Sequence, residues 1–354
     1  MYAGGPSNSS SRYGNAAQCC HRGLEGANDT SWGHWDTDAA MFKELEISYL
    51  KSDPCVGHPP KNATAPLTAQ DIFIQYNLAW VAAFKKLGYE KSVFLQGSGP
   101  TRACGSNASS CAAIPSELNS WRTTADVKPT FESVLSNIAH NDAYASLAGP
   151  HHWNDADVSA FLYPATFASS ETVRRTPQML QCGQPGITVG ECRVNLALWS
   201  LAKSPLLIGA DVRGFGHDII SLLTNHEVLA VNQDAAGVQG RLVATADDNH
   251  TQIWAGPLAP KGGLAFAVAL VNLNNESSLE VELGWDMLPG AVPPSTSLVA
   301  RDLWERQDLG PHTGSVKLTV EPHDCRFIRL SKPPSTRPGK SDDTAMTTST
   351  DIPT

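Results

Sequence analysis

Three strand-like runs of this chain end in an aspartate. Tyr49-Leu50-Lys51-Ser52-Asp53 ends in Asp53, Trp121-Arg122-Thr123-Thr124-Ala125-Asp126 ends in Asp126, and the apolar run from Pro205 ends in Asp211. A fourth acidic group, Trp153-Asn154-Asp155-Ala156-Asp157, follows another short run. In a β/α barrel the reactive side chains sit at the C-terminal ends of strands. Two carboxylates facing each other across a sugar can cleave a glycosidic bond: one stays ionised to attack the anomeric carbon, the other holds a proton for the leaving oxygen. Lys51 lies two residues before Asp53, on the same side of the strand, and a cation there keeps a carboxylate ionised. Arg122 lies four residues before Asp126. It could tune that carboxyl or bind substrate hydroxyls, and spacing alone does not assign the roles. Each aspartate also has a plainer reading, because an Asp after a strand often caps the next helix or makes a turn. Trp32, Trp35 and Trp153 could stack on sugar faces, but aromatics more often fill cores. His34, His58, His151 and His152 do not share metal-ligand spacing on one helix face, so no metal site and no cofactor are expected.

The elements that must hold these residues follow from periodicity. Ile47–Ser52, Ser92–Gln96, Trp121–Val127, Tyr144–Ala148 and Pro205–Ile208 read as strands. Thr68–Leu87, Phe131–Asn141 and Arg193–Lys203 read as helices, the second from Phe131, Val134, Leu135 and Ile138 at helical spacing. Alternation of this kind points to β/α units on a parallel sheet. After Gln239 the helical period disappears. Leu242–Thr245, Gln252–Ala255, Leu264–Leu273, Leu279–Leu283, Leu298–Leu303, Ser315–Val320 and Arg326–Leu330 are short strands between Gly, Pro, Asn and Asp turns. They predict an antiparallel sandwich. From Ser331 the chain is Pro, Ser, Thr, Lys and Asp, a composition that does not fold on its own. The expected division is residues 1–238 as a partial barrel, 239–332 as the β domain and 333–354 as a disordered tail.

Composition narrows the class. The 354 residues are 41% hydrophobic and carry a formal net charge of -9. Such a chain has no electrostatic reason to bind nucleic acid or an anionic membrane surface, and no run of about 18 apolar residues reads as a membrane span. Asn-x-Ser/Thr sequons stand at Asn8, Asn28, Asn62, Asn107, Asn249 and Asn275. Cys104 and Cys111 bracket one polar loop, and Cys182 and Cys192 another. Six sequons and cysteine-closed loops fit an oxidising, glycosylating compartment. The expectation is a secreted or lysosomal/vacuolar protein whose signal peptide is absent from this sequence, since Met1–Gly14 is polar and Gly/Ser-rich.

Several ordered blocks together resemble the α-galactosidase and α-N-acetylgalactosaminidase family of clan-D glycoside hydrolases. Ile47-Ser48-Tyr49-Leu50-Lys51-Ser52-Asp53-Pro54-Cys55 is similar to the family's nucleophile strand, and Trp121 to Asp126 to its acid/base strand. Gly149-Pro150-His151-His152-Trp153-Asn154-Asp155-Ala156-Asp157 resembles the signature Gly-Pro-Gly-Gly-Trp-Asn-Asp-Pro-Asp. Leu198 to Arg213, Val228 to Gly240 and Arg301-Asp302-Leu303-Trp304-Glu305 resemble later blocks, so the likeness runs from Met1 to about Leu330. The resemblance implies a (β/α)8 TIM barrel followed by an antiparallel β-sandwich domain, with retaining cleavage of terminal α-linked galactose. It implies Asp53 as nucleophile and Asp126 as acid/base, about 5–5.5 Å apart in a retaining enzyme. Lys51 and Arg122 are implied sugar-binding groups, and Trp153, Asp155 and Asp157 shape the pocket floor. The expected partner is an α-galactoside-bearing oligosaccharide or glycoconjugate, with a homodimer the one protein assembly left open.

The sequence also departs from that family. The Trp-rich first strand and the second strand with paired aspartates have no counterpart, and Met1-Tyr2-Ala3-Gly4 resembles the end of the third strand. A barrel missing its first strands is therefore expected, the chain reading as a fragment of a complete enzyme. After Leu95 the family's Cys is replaced by Gly97, which leaves the pairing of Cys55 open to Cys19 or Cys20. Ser98 falls where galactosidases tend to carry Glu and N-acetylgalactosaminidases Ser, so the alternative substrate is an α-N-acetylgalactosaminide. A truncated, non-catalytic galactose-binding protein is the other alternative. His151 and His152 replace two glycines and are expected at the pocket rim.

Overall fold

The computed structural model describes residues 2–4, 35–53, 69–91, 93–97, 117–124, 127–157, 179–246, 249–259 and 264–333. Five short strands form a parallel sheet in chain order: β1 (Tyr2–Gly4), β2 (Tyr49–Asp53), β3 (Phe94–Gly97), β4 (Ser120–Arg122) and β5 (Trp153–Asp155). Helices α1 (Trp35–Glu44), α2 (Ala69–Lys86) and α3 (Phe131–Asp142) follow β1, β2 and β4. Sheet alternation sends Leu50, Leu95 and Trp121 outward, where they bury with Phe42, Trp80 and Phe84. Trp80 centres that layer, its ring 5.5 Å from Phe42 and 5.6 Å from Phe84. The same alternation turns Tyr49, Lys51, Gln96, Ser120, Arg122 and Asp155 to the inner face. Consecutive parallel strands with a helical outer layer form an arc of a β/α barrel. Past β5, Leu180 and Ile208 form an isolated parallel bridge.

Three expected strands are corrected. Tyr144–Ala148 contains a 3-10 turn at Ala145–Leu147, and the strand is the Trp-Asn-Asp segment after it. That strand is too polar to show apolar alternation, because its inner face carries Asp155 and its outer Asn154 donates to Tyr144 O at 2.7 Å. Among the described residues, the Trp121–Val127 run pairs as the strand Ser120–Arg122, and Pro205–Ile208 contributes a single bridge.

Helix α4 (Val189–Leu201) is buried on every side from Val194 to Leu201, while Val189 at its start is exposed. Thr188 and Glu191 close a capping box at its start, Glu191 N donating to Thr188 Oγ1 at 3.2 Å and Thr188 N to Glu191 Oε2 at 2.8 Å. The Cys182–Cys192 disulfide, expected from the sequence, ties the preceding loop to this helix. Two short helices follow, α5 (His217–Leu223) and α6 (His226–Asn232).

The remaining strands are antiparallel: β6 (Arg241–Ala246), β7 (Thr251–Pro257), β8 (Ala265–Asn272), β9 (Leu279–Gly284), β10 (Ser297–Asp302), β11 (Gln307–Thr313), β12 (Ser315–Val320) and β13 (Asp324–Ser331). Six form one sheet in the order β11-β10-β13-β8-β7-β6, and β12 pairs with β9. Every residue of β8 is buried. Ala267, Ala269 and Val271 face the cluster containing α4, while Phe266, Val268 and Leu270 face the sandwich core with Leu283, Trp285 and Ile328. Arg193 of α4 meets Asp324 at 3.0 Å, and Glu227 of α6 meets Arg301 of β10 at 2.7 Å, so ion pairs frame the apolar junction. Asn249 and Asn275 are exposed, as an N-glycan acceptor must be; the other four sequons, and the expected tail from 334 onward, lie outside the described residues.

Candidate active site

The parallel sheet brings the C-terminal ends of β2, β4 and β5 to one edge. Asp53 is the last position of β2 and pairs in register with Gly4. Asp155 ends β5 opposite Arg122 of β4. Lys51, Gln96, Arg122, Asp155 and Asp157 are all buried. Apolar walls cannot accept so many polar groups unless they satisfy one another. Gln96, Arg122, Asp155 and Asp157 find partners in two sets.

In the first, Arg122 holds Asp157. Arg122 Nε donates to Asp157 O at 2.5 Å, and Nη2 lies 3.2 Å from Asp157 Oδ1. The same Oδ1 accepts from Val127 N at 3.0 Å. This fixes the segment after β5 against the one after β4. In the second set, the Tyr49 hydroxyl donates to Gln96 Oε1, and Gln96 Nε2 donates to Asp155 Oδ2. Tyr49 stacks on Phe94 with ring centroids 5.1 Å apart. Burial first, and the Asp155 charge second, push the Tyr49 hydroxyl far above its ordinary range, so it stays a donor. Burial first, and the like charge of Asp157 second, push the Asp155 carboxyl up to about 7; Arg122, Lys51 and the Gln96 amide oppose that rise. Around this floor, Trp121 Nε1 donates to Asn154 Oδ1 at 2.7 Å, Asn154 Nδ2 to Gln239 Oε1 at 2.9 Å, and Ser204 Oγ to Asn154 O at 2.7 Å.

Similarity to known proteins fits this frame. Residues 12–171 and 165–234 match the family model described as alpha galactosidase A, and residues 248–330 match the alpha galactosidase C-terminal beta sandwich domain. The chain belongs to the alpha galactosidase A (melibiase) family. An alpha-galactosidase of Coffea arabica is 33% identical over 316 residues, which is 89% of this chain and 70% of that protein. Alpha-galactosidase 3 of Arabidopsis thaliana is 31% identical over 84% of this chain and 58% of its own length. An alpha-N-acetylgalactosaminidase of Rattus norvegicus is 29% identical over 59% of this chain and 43% of its own. The chain spans 58–64% of the length of the plant relatives from Arabidopsis thaliana, Oryza sativa and Cyamopsis tetragonoloba. The crystal structure of alpha-galactosidase I from Mortierella vinacea superposes with a TM-score of 0.65 at 24% identity, over 86% of this chain and 72% of that one. The melibiase fold is thus a TIM barrel with a C-terminal β-sandwich, as the sequence predicted, and the five-stranded arc is its described parallel portion.

Within this family frame, the expected site residues fall as follows. Lys51, Arg122, Asp155 and Asp157 converge on the inner face and its C-terminal edge. Trp153 opens β5 half-buried, two register rows below Asp155. Asp126 and Ser98 lie outside the described residues, as do Cys55 and the Cys104–Cys111 loop. His151 and His152 are not at the C-terminal rim. They precede β5 in a turn in which His152 N donates to Gly149 O at 2.9 Å, with His151 at φ 69°. That turn lies at the opposite edge of the sheet from Asp155. Asp211 takes the plainer role: it is exposed, caps the 3-10 turn at Val212–Gly214 and pairs with Arg213. Sequence reasoning missed Tyr49 and Gln96. Their signal was present: Tyr49 sits two residues before Lys51, and Gln96 is polar at the end of an otherwise apolar strand. At Gly97 an added Cβ would stand 2.9 Å from Leu118 Cδ1 and 3.2 Å from Asn77 Oδ1, so the family's Cys does not fit there without repacking.

Proposed function

We propose that the chain is the catalytic portion of a retaining glycoside hydrolase acting on terminal α-linked galactose. The observation that carries this reading is the cluster at one edge of the parallel sheet. Lys51 is buried two residues before Asp53, and the Arg122–Asp157 pair holds the segments after β4 and β5 together. In the first step the Asp53 carboxylate attacks the anomeric carbon and forms an ester. The glycosidic C–O bond breaks, and Asp126 gives its proton to the departing oxygen. In the second step Asp126 takes a proton from water, whose oxygen attacks the same carbon and releases Asp53. Two inversions return the α configuration. Lys51 keeps Asp53 ionised for the first step. Arg122, through Asp157, fixes the segment carrying Asp126.

The substrate on this reading is an α-galactoside-bearing oligosaccharide or glycoconjugate. Residues 1–238 form the barrel portion and 239–332 the sandwich. The protein acts in a secreted or lysosomal/vacuolar setting, in keeping with the Cys182–Cys192 bridge; no described helix is long and apolar enough to cross a membrane.

Secretory expression followed by assay on p-nitrophenyl α-galactoside, with Asp53→Asn as the blank, tests the reading. Turnover that vanishes in the blank is expected; full activity in Asp53→Asn sinks the nucleophile assignment. Ser98 motivates a second reading as an α-N-acetylgalactosaminidase, and the ratio of rates on the two aryl glycosides separates them. Soluble protein that binds galactose without turnover would instead favour the non-catalytic alternative.

A further inference from the structure

We infer that Gln96 is a positioning residue, clamping the Asp155 carboxyl and so fixing the charge that faces Lys51 and Arg122 at the pocket floor. Its consequence for catalysis rests on the glycosidase reading; the clamp itself does not.

Gln96 is fully buried, and a buried amide needs both ends satisfied. The Tyr49 hydroxyl, a donor, occupies Oε1. That assigns the amide's orientation and leaves Nε2 for Asp155 Oδ2. The reach is long in topological terms: β4 lies between β3 and β5, so the amide crosses the inner face to touch Asp155. Asp155 is faced by Tyr49 and Lys51 from β2, by Arg122 from β4 and by Asp157 on its own segment. Among these, the Gln96 amide is a neutral donor that favours the charged carboxylate without adding charge of its own. A leucine is of similar size but has no polar end. It would strip the Tyr49 hydroxyl of this acceptor and Asp155 of this donor. Losing a donor to the charged form moves a carboxyl's titration upward.

The test follows the Asp155 carboxyl by 13C NMR over a pH series on the whole chain, its resonance identified by its absence in Asp155→Asn. Gln96→Leu should raise the midpoint by about one pH unit, a tenfold rise in proton affinity. Tyr49→Phe keeps the ring stacked on Phe94 but frees the amide to turn, and should shift the midpoint the same way by less. In an active wild type, the matching limb of the kcat/KM profile should move with the midpoint. An unchanged midpoint in folded Gln96→Leu overturns the clamp; if that variant does not fold, an unchanged midpoint in Tyr49→Phe does so. A moved midpoint in protein that turns over no galactoside would leave the clamp standing and remove the glycosidase reading.

Discussion

Replacing Asp155 by Asn should make the protein more stable at neutral pH, by an amount that grows with pH. The carboxyl is 1% exposed, and its burial together with Asp157 pushes it from an ordinary 3.8 up to about 7. Between those values the folded chain holds a proton that the unfolded chain has released. Stability from this group is therefore fully present below 3.8 and lost as pH rises through about 7. The slope is about 1.4 kcal/mol per pH unit over roughly three units, a span on the order of 4 kcal/mol. Asparagine mimics the neutral acid in shape, does not titrate, and still offers an oxygen to Gln96 Nε2. The difference in unfolding free energy, variant minus wild type, should be near zero at pH 4. By pH 7.5 it should have climbed to a few kcal/mol in the variant's favour. Urea unfolding of both proteins in half-unit pH steps measures it; carboxylates remote from Asp155 cancel in the difference, and the neighbouring Asp157 is the one that responds to the substitution. Parallel pH dependences in the two proteins would refute the reasoning.

Other substitutions separate competing physical effects. Arg122→Met leaves Asp157 charged in a site where both side chains are at most 1% exposed; it should cost about 3–5 kcal/mol by urea unfolding. His151→Gly should stabilise by about 1 kcal/mol in thermal unfolding, since His151 holds φ 69° in a turn that glycine adopts freely. Gly190→Ala would ordinarily strengthen a helix by about 1 kcal/mol. Here the new Cβ would meet His323 O at 2.7 Å, across the junction with the sandwich, so destabilisation is expected instead.

How much of this was legible in the sequence depends on which face a residue serves. The outer face of the sheet was readable, because Leu50, Leu95 and Trp121 pack on helices whose apolar spacing is plain. Strand β5 was misread because Asn154 and Asp155 face partners that a hydrophobic pattern does not register. The start of α4 was set a turn late, although Thr188-Val189-Gly190-Glu191 spells a capping box. Strand β11 was missed because it is the edge of its sheet and mostly exposed, so nothing selects an apolar alternation there. Lys51 and Arg122 were legible as polar positions near strand ends, and both lie buried on the inner face; Asp126 lies outside the described residues. The Tyr49–Gln96–Asp155 chain was not legible, because it joins three strands through polar side chains whose pairing only the sheet order reveals.

The inner face of the arc is a costly place. Buried Lys51, Gln96, Arg122, Asp155 and Asp157 give up hydration, and the ion pair among them repays that desolvation only in part. Apolar burial elsewhere must offset the cost, and the fold concentrates it at the junction of barrel and sandwich. Helix α4 buries Val194, Leu198 and Trp199 in one cluster with Ala267, Ala269 and Phe327 of β8 and β13. β8 is buried on both faces, so its apolar residues serve either that junction or the sandwich core. The sandwich thereby does more than follow the barrel in sequence. It covers a barrel helix whose last two turns could not face water, and that burial offsets the cost of the charges on the inner face of the sheet.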